Sequence, residues 1–439
     1  MTLRRDIQSW GRLPETEHTV HEITDRYASL PNINGVGSCL PHGLGRSYGD
    51  SCLNDQGALL LTTRLDRFIR FNADTRELTC EAGTSLASIL DHIVPYGYFL
   101  PVSPGTKFVT LGGAIANDIH GKNHHRAGTF GRHVTEFELL RSDGSRLRCS
   151  PTVNPEWFRA TIGGLGLTGL ITQATIVLKP IHNPHLEVEH IKFGNLAEFF
   201  ELARESDASH EHTVAWVDCL ARGDKLGRGI FMRGNHAPAD RAGKQRPVSS
   251  GPSIPVSAPR FLLNPMTMKL FNLGFYHKQW RRQTDHLIHY EPFFYPLDCV
   301  GNWNRLYGKK GFFQYQCVVP FAEDDRAIRE IFETIAASRQ GSFLAVLKVF
   351  GGLPSPGLLS FPMPGVTLAL DFPNRGERSL ALFDKLDAIT AHAGGRVYPA
   401  KDARMSPARF RRYFPKHSDL VPFVDPAFSS SFWRRVQFS

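Results

Sequence analysis

The sequence predicts an α+β protein with two domains. The chain has 439 residues, which is long for a single hydrophobic core. Its first 180 or so residues mix short strands and helices without the strict alternation of a doubly wound sheet. Beyond about residue 183 the strands become longer, which predicts a second domain on a mostly antiparallel sheet.

Turn signals define the strands of the first region. Residues 67–71 and 77–83 flank a polar turn and predict a hairpin. Residues 137–140 and 145–149 predict a second hairpin around another polar turn. The β-branched stretch 169–178 predicts the strand that closes this region.

Capping residues define the helices of the same region. Ser85 is expected to cap a helix over residues 86–94, which ends near Gly97. Asn154 is expected to cap a second helix, because Pro155 suits the first helical position.

The second region is predicted to contain long strands, one clear helix and two long loops. The strands are expected at 213–220, 229–234, 312–319, 343–351 and 365–373, and the helix at 324–338. Residues 236–259 and 351–365 are rich in proline, glycine and serine, which is typical of lids or mobile segments.

Composition narrows the classes of function. Hydrophobic residues make up 41% and charged residues 21% of the chain, as in a soluble protein. No apolar run is long enough to span a membrane, and the start lacks the features of a secretory signal, so we expect a cytoplasmic location. The net charge of +9 suggests an anionic partner. Because the basic residues are scattered, a phosphorylated small molecule or an anionic membrane is favoured over nucleic acid.

Residues 265–282 leave two interpretations open. Apolar side chains such as Met266, Leu270 and Phe271 alternate with basic ones such as Lys269. The segment is either a helix packed in the core with a solvated basic end, or a surface that meets a membrane or lipid tail.

Two glycine-rich stretches, 41–51 and 96–125, predict a phosphate site. Glycine lets backbone N–H groups turn toward an anion, and two such loops suit a pyrophosphate held from both sides. The second stretch contains His120, His124 and His125, but without the spacing of a metal site, so no metal is expected. His120 is either a donor or proton carrier beside a redox ring or a hydrogen-bonded structural histidine.

Five segments, in order across nearly the whole chain, carry a resemblance to a known family. They are "HGLGRSYGDS", "SPGTKFVTLGGAIANDIHGKNHHRAGTFG", "GGLGLTGLITQATI", "GNWNRLYGKKGFFQYQCVVP" and "GGRVYPAKDAR". Together they resemble the decaprenylphosphoryl-β-D-ribose 2'-oxidase family, within the vanillyl-alcohol-oxidase-like class of FAD enzymes. The resemblance implies a two-part FAD-binding domain, residues 1–182 and 396–439, with a substrate-binding domain, residues 183–395, inserted between. It also implies noncovalent FAD.

The resemblance assigns residues to the FAD site. They are Gly43, Leu44, Gly45, Arg46, Ser47, Tyr48, Gly49, Asp50, Pro104, Gly105, Thr106, Gly112, Gly113, Ala114, His120, Gly121, Asn123, Ile171, Tyr398 and Lys401. Lys401 and His120 are the implied catalytic residues. A lysine at the N1 and O2 edge of the flavin stabilises the reduced ring and can bind or help deprotonate a sugar hydroxyl. Without the resemblance, Lys401 would be interpreted as a surface lysine in a charged turn.

The resemblance also assigns residues to the substrate site. They are Trp216, Phe294, Gln314, Gln316, Lys348, Thr367 and Ala369. Lys348 is informative by itself, since a lysine in an apolar strand needs an anionic partner, either a substrate phosphate or an internal carboxylate.

The chain departs from the family pattern at four of the aligned positions. Ala369 stands where mycobacterial members have a cysteine, and Thr367 where they have an asparagine. Phe294 and Tyr295 stand in place of a tyrosine-histidine pair. These changes spare the hydride-transfer machinery and leave the exact sugar and lipid length open.

The implied reaction is oxidation of the 2'-hydroxyl of a polyprenyl-phosphoryl-β-D-ribose to the 2'-keto sugar. A separate keto-sugar reductase would complete the 2'-epimerisation, and oxygen or a quinone would accept the electrons. Lys401, His120 and ordered water are candidates for handling the proton. Two alternatives are an aldonolactone or alditol oxidase acting on a free sugar, and a non-catalytic flavin- or lipid-binding module. Peripheral contact with the inner membrane is a further expectation.

Overall fold

The computed structural model describes residues 3–32, 35, 37–241, 252–259, 263–321 and 325–437. Strands occupy β1 Thr19–Glu22, β2 Cys39–His42, β3 Ala58–Leu61, β4 Phe68–Asn72, β5 Glu77–Glu81, β6 Tyr98–Phe99, β7 Val134–Leu140, β8 Arg146–Cys149, β9 Leu170–Val177, β10 Lys179–Pro180, β11 His185–Phe193, β12 His212–Val217, β13 Gly229–His236, β14 Gln283–His289, β15 Phe312–Val319, β16 Ala345–Phe350, β17 Gly365–Pro373 and β18 Arg396–Val397. Helices occupy α1 Leu86–Ile93, α2 Leu111–Ala116, α3 His124–Ala127, α4 Pro155–Thr161, α5 Leu196–Asp207, α6 Pro265–Lys278, α7 Tyr290–Phe294, α8 Arg326–Ser338, α9 Glu377–His392, α10 Pro407–Tyr413, α11 His417–Leu420 and α12 Ser431–Gln437.

The first region is built on a five-stranded antiparallel sheet in the order β4-β5-β9-β7-β8. Both predicted hairpins are present, and Ser85 caps α1 by accepting a hydrogen bond from the amide of Ser88. The cap predicted at Asn154 is wrong in its chemistry. Asn154 precedes α4 in a left-handed conformation, but its side chain donates to the Arg148 carbonyl instead of accepting from the helix.

A three-stranded parallel sheet, β1-β3-β2, lies beside this domain and was not predicted. The first glycine-rich loop begins directly after β2, so this sheet fixes where the loop starts. His42, the last residue of β2, helps to anchor the loop because its Nδ1 hydrogen-bonds the Cys52 carbonyl at 2.8 Å.

The second region is built on an eight-stranded antiparallel sheet in the order β14-β11-β13-β12-β16-β17-β15-β18. All five predicted strands belong to it. Three further strands, β11, β14 and the short β18, were not predicted. The helices α8 and α9 contribute buried Ile331, Phe332 and Leu386 to the core cluster that covers one face.

The two long loops predicted from the sequence are described to different extents. Residues 242–251 of the first lie outside the described residues, so the expectation of a lid there stays a prediction. The second loop packs against the first region instead of standing free: the buried carboxylate of Asp118 accepts hydrogen bonds from Ser355 and Ser360, both at 2.5 Å.

The C-terminal segment joins both regions. Its first strand, β18, pairs with β15, whereas α12 packs on the first region. Arg435 of α12 donates to both oxygens of Asp50 and to Asp402. The domain boundaries at 182 and 395 stay a prediction.

Helix α6 exposes most of its apolar side chains. Met266 and Leu270 are 65% and 59% exposed, and Trp280, which follows the helix, is 94% exposed. Only Met268 and Asn272 of α6 are buried. The helix is therefore a surface element, and none of the described helices is long and apolar enough to cross a lipid bilayer.

Replacing Arg435 with alanine should destabilise the fold by about 3 kcal/mol, because Asp50 and Asp402 would then be buried without their common cation. Thermal unfolding of the purified protein measures this. Arg329→Ala, an exposed arginine of α8, is the control and should change stability by less than about 0.5 kcal/mol. Equal effects of the two variants would contradict the prediction.

Candidate active site

One cavity of about 920 Å³ extends between the two regions and the C-terminal segment. Its wall contains both glycine-rich stretches, side chains of β12, β15, β16 and β17, and the residues around Lys401. Cavities that hold cofactors or drug-sized ligands span roughly 300 to 1,000 Å³, so this one is large enough for an extended ligand.

The first glycine-rich loop forms one part of the cavity wall. Gly45 has a φ of +61°, a conformation that glycine adopts without strain. The Arg46 guanidinium lies 4.0 Å from the centre of the Trp10 ring. The Arg46 Nε and the Ser51 Oγ are buried without a partner among the described residues. Two orphaned polar groups beside bare backbone fit a polar, anionic ligand.

The second glycine-rich stretch packs closely on its surroundings. Thr110 caps α2 by accepting from the amide of Gly113, and a Cβ added at Gly43 would lie 2.4 Å from the Thr110 Oγ1. A Cβ added at Gly112 would lie 3.1 Å from that of Ala82. The absence of side chains therefore lets the two glycine stretches approach each other.

The structure brings most of the predicted site residues to this one cavity. Those in its wall are Gly43, Leu44, Gly45, Arg46, Ser47, Tyr48, Pro104, Gly105, Thr106, Gly112, Gly113, His120, Gly121, Ile171, Tyr398 and Lys401 from the predicted cofactor set, and Trp216, Phe294, Gln314, Gln316, Lys348 and Ala369 from the predicted substrate set. The residues come from segments about 360 positions apart, from Gly43 to Lys401.

Five predicted contact residues lie behind the wall instead. Asp50 pairs with Arg435, Asn123 donates to the Pro101 carbonyl, and Thr367 donates to the Cys317 carbonyl. Ala114 is fully buried in the core, and a Cβ on Gly49 would lie 1.8 Å from the Asp402 carbonyl oxygen. These five residues contact other parts of the protein and help to hold the loops. The structure does not place them in contact with a ligand.

Lys401 ends a short 3-10 helix, Pro399–Lys401, and its Nζ lies 4.0 Å from the centre of the Tyr48 ring. Tyr48 is held in place because its amide donates to the Ala400 carbonyl at 2.9 Å. Burial lowers the pKa of Lys401 to about 8, although the charge of Asp371 opposes this shift. The lysine can therefore exchange a proton near neutral pH.

Two further lysines face the same cavity. Burial lowers the pKa of Lys348 to about 8 and that of Lys122 to about 7. The Lys122 Nζ donates to the carbonyls of Phe293 and Phe294. No carboxylate lies within ion-pair distance of Lys348 among the described side chains, so the internal partner left open by the sequence is not found there.

His120 is held as a neutral ring. Burial and the nearby charges of Lys348 and Lys401 lower its pKa well below the usual value. The amide Nε2 of Gln316 lies 3.0 Å from the His120 Nε2 and forms a hydrogen bond with it, whereas the His120 Nδ1 is buried without a partner among the described residues. Gln316 is itself within 3.5 Å of the Thr367 Oγ1. Thr367 thus acts on the site through Gln316.

The other two histidines of the motif contact side-chain and backbone groups of the protein. His124 packs against Phe350 with ring centres 4.4 Å apart and the rings tilted by 44°, and the His125 Nε2 hydrogen-bonds the His210 carbonyl. Within the described part of the chain, no three His, Cys, Asp or Glu side chains form a group that could hold a metal ion.

Aromatic side chains form another part of the cavity wall. Trp216 donates from its indole to the Phe343 carbonyl at 3.0 Å and lies 4.6 Å from Phe275 of α6, measured between ring centres. Phe271, also on α6, lines the cavity while being 47% exposed. This part of the wall is therefore apolar and reaches the surface at α6.

Sequence reasoning missed Lys122 and Asp371 in the wall. Asp371 carried the same signal as Lys348, a single charged residue in an otherwise apolar strand. Lys122 lies inside the histidine motif, but nothing local distinguishes it from a surface lysine. Phe271 and Phe275 were noticed only as part of an apolar helix.

Comparison with known proteins identifies the nature of this site. A family model described as an FAD binding domain matches residues 33–150. Decaprenylphosphoryl-β-D-ribose oxidase of Mycolicibacterium smegmatis is 35% identical over 99% of this chain and 98% of its own length. An uncharacterized protein of Streptomyces coelicolor is 34% identical over 80% of this chain and 99% of its own. L-gulonolactone oxidase of Scyliorhinus torazame is 29% identical over only 33% of this chain and 32% of its own.

These matches confirm the predicted FAD cofactor, the fold class and the oxidoreductase class. The glycine-rich part of the cavity wall fits FAD, because its bare backbone accompanies two buried polar atoms, the Arg46 Nε and the Ser51 Oγ, that lack partners among the described residues. The contact made by each individual residue stays a proposal.

Replacing Gly43 with alanine should weaken FAD binding by about fivefold. The added Cβ must displace the Thr110 side chain, and losing that helix cap costs about 1 kcal/mol. Fluorescence titration of the apoprotein with FAD measures this. Gly352→Ala is the control, because a Cβ added at Gly352 would have no atom within 4 Å. Unchanged affinity in Gly43→Ala would contradict the prediction.

Proposed function

We propose, from the premise that the chain belongs to the decaprenylphosphoryl-β-D-ribose oxidase family, that it oxidises the 2'-hydroxyl of a polyprenyl-phosphoryl-β-D-ribose to the 2'-keto sugar. The observation that supports this most is the single cavity whose wall combines glycine loops, three lysines and aromatic side chains. A lipid-linked sugar phosphate has the matching set of groups: polar sugar, anionic phosphate and apolar chain.

The residues proposed to hold FAD are those of the two glycine-rich stretches, with Arg46 and Ser51 as polar donors and Tyr398 on the side of the C-terminal segment. Bound FAD supplies the two-electron acceptor for the hydride that leaves the sugar carbon. The Lys401 ammonium is proposed to compensate the negative charge that the site gains with that hydride.

Lys348 is proposed to bind the substrate phosphate. Its ammonium is half-buried and has no carboxylate partner within ion-pair distance among the described side chains. An anion brought by the ligand would offset the cost of burying this charge. Gln314 and Gln316 lie on β15, which is separated from the Lys348 strand β16 by β17, and they line the same cavity, where they are proposed to orient the sugar hydroxyls.

Helix α6 is proposed to rest on an anionic membrane surface. Its exposed Met266, Leu270 and Leu273 are accompanied by the cations of Lys269 and Lys278. Apolar side chains flanked by cations suit the headgroup region of an anionic bilayer. Since α6 also supplies aromatic residues to the cavity, a lipid tail would pass from the bilayer to the cavity along this helix.

The reaction implies two further partners. A separate keto-sugar reductase is proposed to return a hydride to C2' from the opposite side and so give the arabinose epimer. A quinone or oxygen is proposed to reoxidise the cofactor. The L-gulonolactone oxidase match, which covers a third of the chain, keeps oxidation of a free sugar or aldonolactone as the competing function.

Anaerobic mixing with substrate tests the function. Polyprenyl-phosphoryl-ribose should bleach the visible flavin absorbance, whereas free sugars and aldonolactones should not. In Lys348→Met the substrate concentration for half-maximal bleaching rate should rise by about 10- to 100-fold, because a charged hydrogen bond contributes about 1.5 to 3 kcal/mol.

Lys385→Met, which removes an exposed lysine of α9, is the control and should behave as the wild type. Bleaching by a free sugar or aldonolactone alone would overturn the proposed substrate and favour the soluble-sugar oxidase. A normal response of Lys348→Met would overturn the phosphate assignment alone.

Co-sedimentation with lipid vesicles tests the membrane proposal. The protein should bind vesicles that contain phosphatidylglycerol more strongly than pure phosphatidylcholine, and added salt should weaken the binding. Leu270→Asp should reduce binding by about tenfold or more, since it removes buried apolar area and adds a negative charge. Leu380→Asp, an exposed leucine on α9, is the matched control. Equal binding by both variants would contradict a docking role of α6.

A further inference from the structure

Asp371 is the one carboxylate among the cavity-lining residues that lies beside Lys401. It is 1% exposed and occupies β17, whose other side chains are apolar or uncharged. Its Oδ1 accepts a hydrogen bond of 2.6 Å from the Nε2 of Gln314. Its Oδ2 is buried and has no partner among the described residues. A buried carboxylate oxygen without a donor is costly unless a ligand supplies one.

The groups that face Asp371 come from four other elements. Lys401 approaches from the C-terminal segment and Tyr48 from the first glycine-rich loop. Tyr307 approaches from the 3-10 helix Trp303–Tyr307, and Lys348 faces the same cavity from β16. Burial raises the pKa of Asp371 to about 7, and the positive charge of Lys401 limits the rise. The carboxylate is therefore in proton exchange near neutral pH.

The competing proton acceptors are less suitable. The Nε2 of His120 already forms a hydrogen bond with Gln316, and a proton added to this ring would add a positive charge beside Lys348 and Lys401. Lys401 is mainly protonated at neutral pH, since its pKa is about 8. A protonated lysine cannot accept another proton. Protonation of Asp371 instead removes a negative charge from the site. This offsets the negative charge that hydride transfer adds to it.

We propose that Asp371 accepts the proton of the oxidised hydroxyl group, with Lys401 as its charge partner. This rests on the proposed function. The substrate O–H bond breaks and its proton goes to the Asp371 Oδ2. The C2'–H bond breaks and its hydrogen leaves with both electrons as a hydride, for which bound FAD would supply the acceptor, while the C=O bond forms. Gln314 holds the carboxylate in position through Oδ1.

Rapid anaerobic mixing of Asp371→Asn with the lipid-linked ribose tests the proposal. The limiting rate of flavin bleaching should fall by about 10²- to 10⁴-fold, while bound FAD and the substrate concentration for half-maximal rate stay close to those of the wild type. In the wild type the rate should rise with pH through the region around 7, because Asp371 must be ionised to accept a proton. This rise should be absent in Asp371→Asn.

Chemical rescue separates a proton-accepting role from a structural one. Added formate should restore bleaching in Asp371→Ala in proportion to its concentration. Asp425→Asn is the control, because Asp425 is equally buried but pairs with Arg141 away from the cavity. It should lose stability while keeping the limiting rate and its pH dependence.

The outcomes are distinguishable. If the wild type is not bleached by the lipid-linked ribose, the proposed function fails and the inference with it. If the wild type is bleached and Asp371→Asn keeps both rate and pH dependence, only the inference is wrong. A wild-type rate that is flat around pH 7 overturns the inference even if the variants lose FAD.

Discussion

The site depends on the return of the C-terminal segment onto the first glycine-rich loop. The two backbones approach so closely that a Cβ at Gly49 would lie 1.8 Å from the Asp402 carbonyl oxygen. The Tyr48 amide donates to the Ala400 carbonyl, and Arg435 joins Asp50 of the loop to Asp402 of the segment. This closure sets Lys401 over the Tyr48 ring. Glycine at position 49 is therefore needed for backbone approach, although it does not reach the cavity itself.

The closed site carries an excess of positive charge. Lys122, Lys348 and Lys401 face the cavity, and Asp371 is the carboxylate that acts on Lys401. Burying unpaired cations costs free energy, and burial lowers the pKa of all three lysines. Ligands that bring phosphate groups reduce this cost. Binding of an anionic cofactor or substrate should thus be linked to the protonation of these lysines, because each anion favours their charged forms.

The features that could be predicted from the sequence are those that depend on local signals. Polar turns between alternating segments identified both hairpins, and Ser85 identified the start of α1. Strand β14 escaped notice because it is polar and mostly exposed, so pairing with β11 defines it more than its composition does. At the site, Lys401 has the local sequence of a surface turn, and only the resemblance to a family indicated its role. Asp371 carries the same local signal as Lys348, because each is the single charged residue of an otherwise uncharged strand.

The make-up of the cavity wall constrains how a substrate binds. The glycine loops and Lys401 line part of the wall, and Trp216, Phe271 and Phe275 line an aromatic part that reaches the surface at Phe271, which is 47% exposed. An amphiphile that enters sugar first leaves its apolar chain against this aromatic wall, so burial of the chain helps to hold the sugar in the cavity. A free sugar gains nothing from the aromatic wall and would be held by polar contacts alone. The apolar surface of α6 extends the same wall outward, so a lipid tail can remain in apolar surroundings from the bilayer to the cavity.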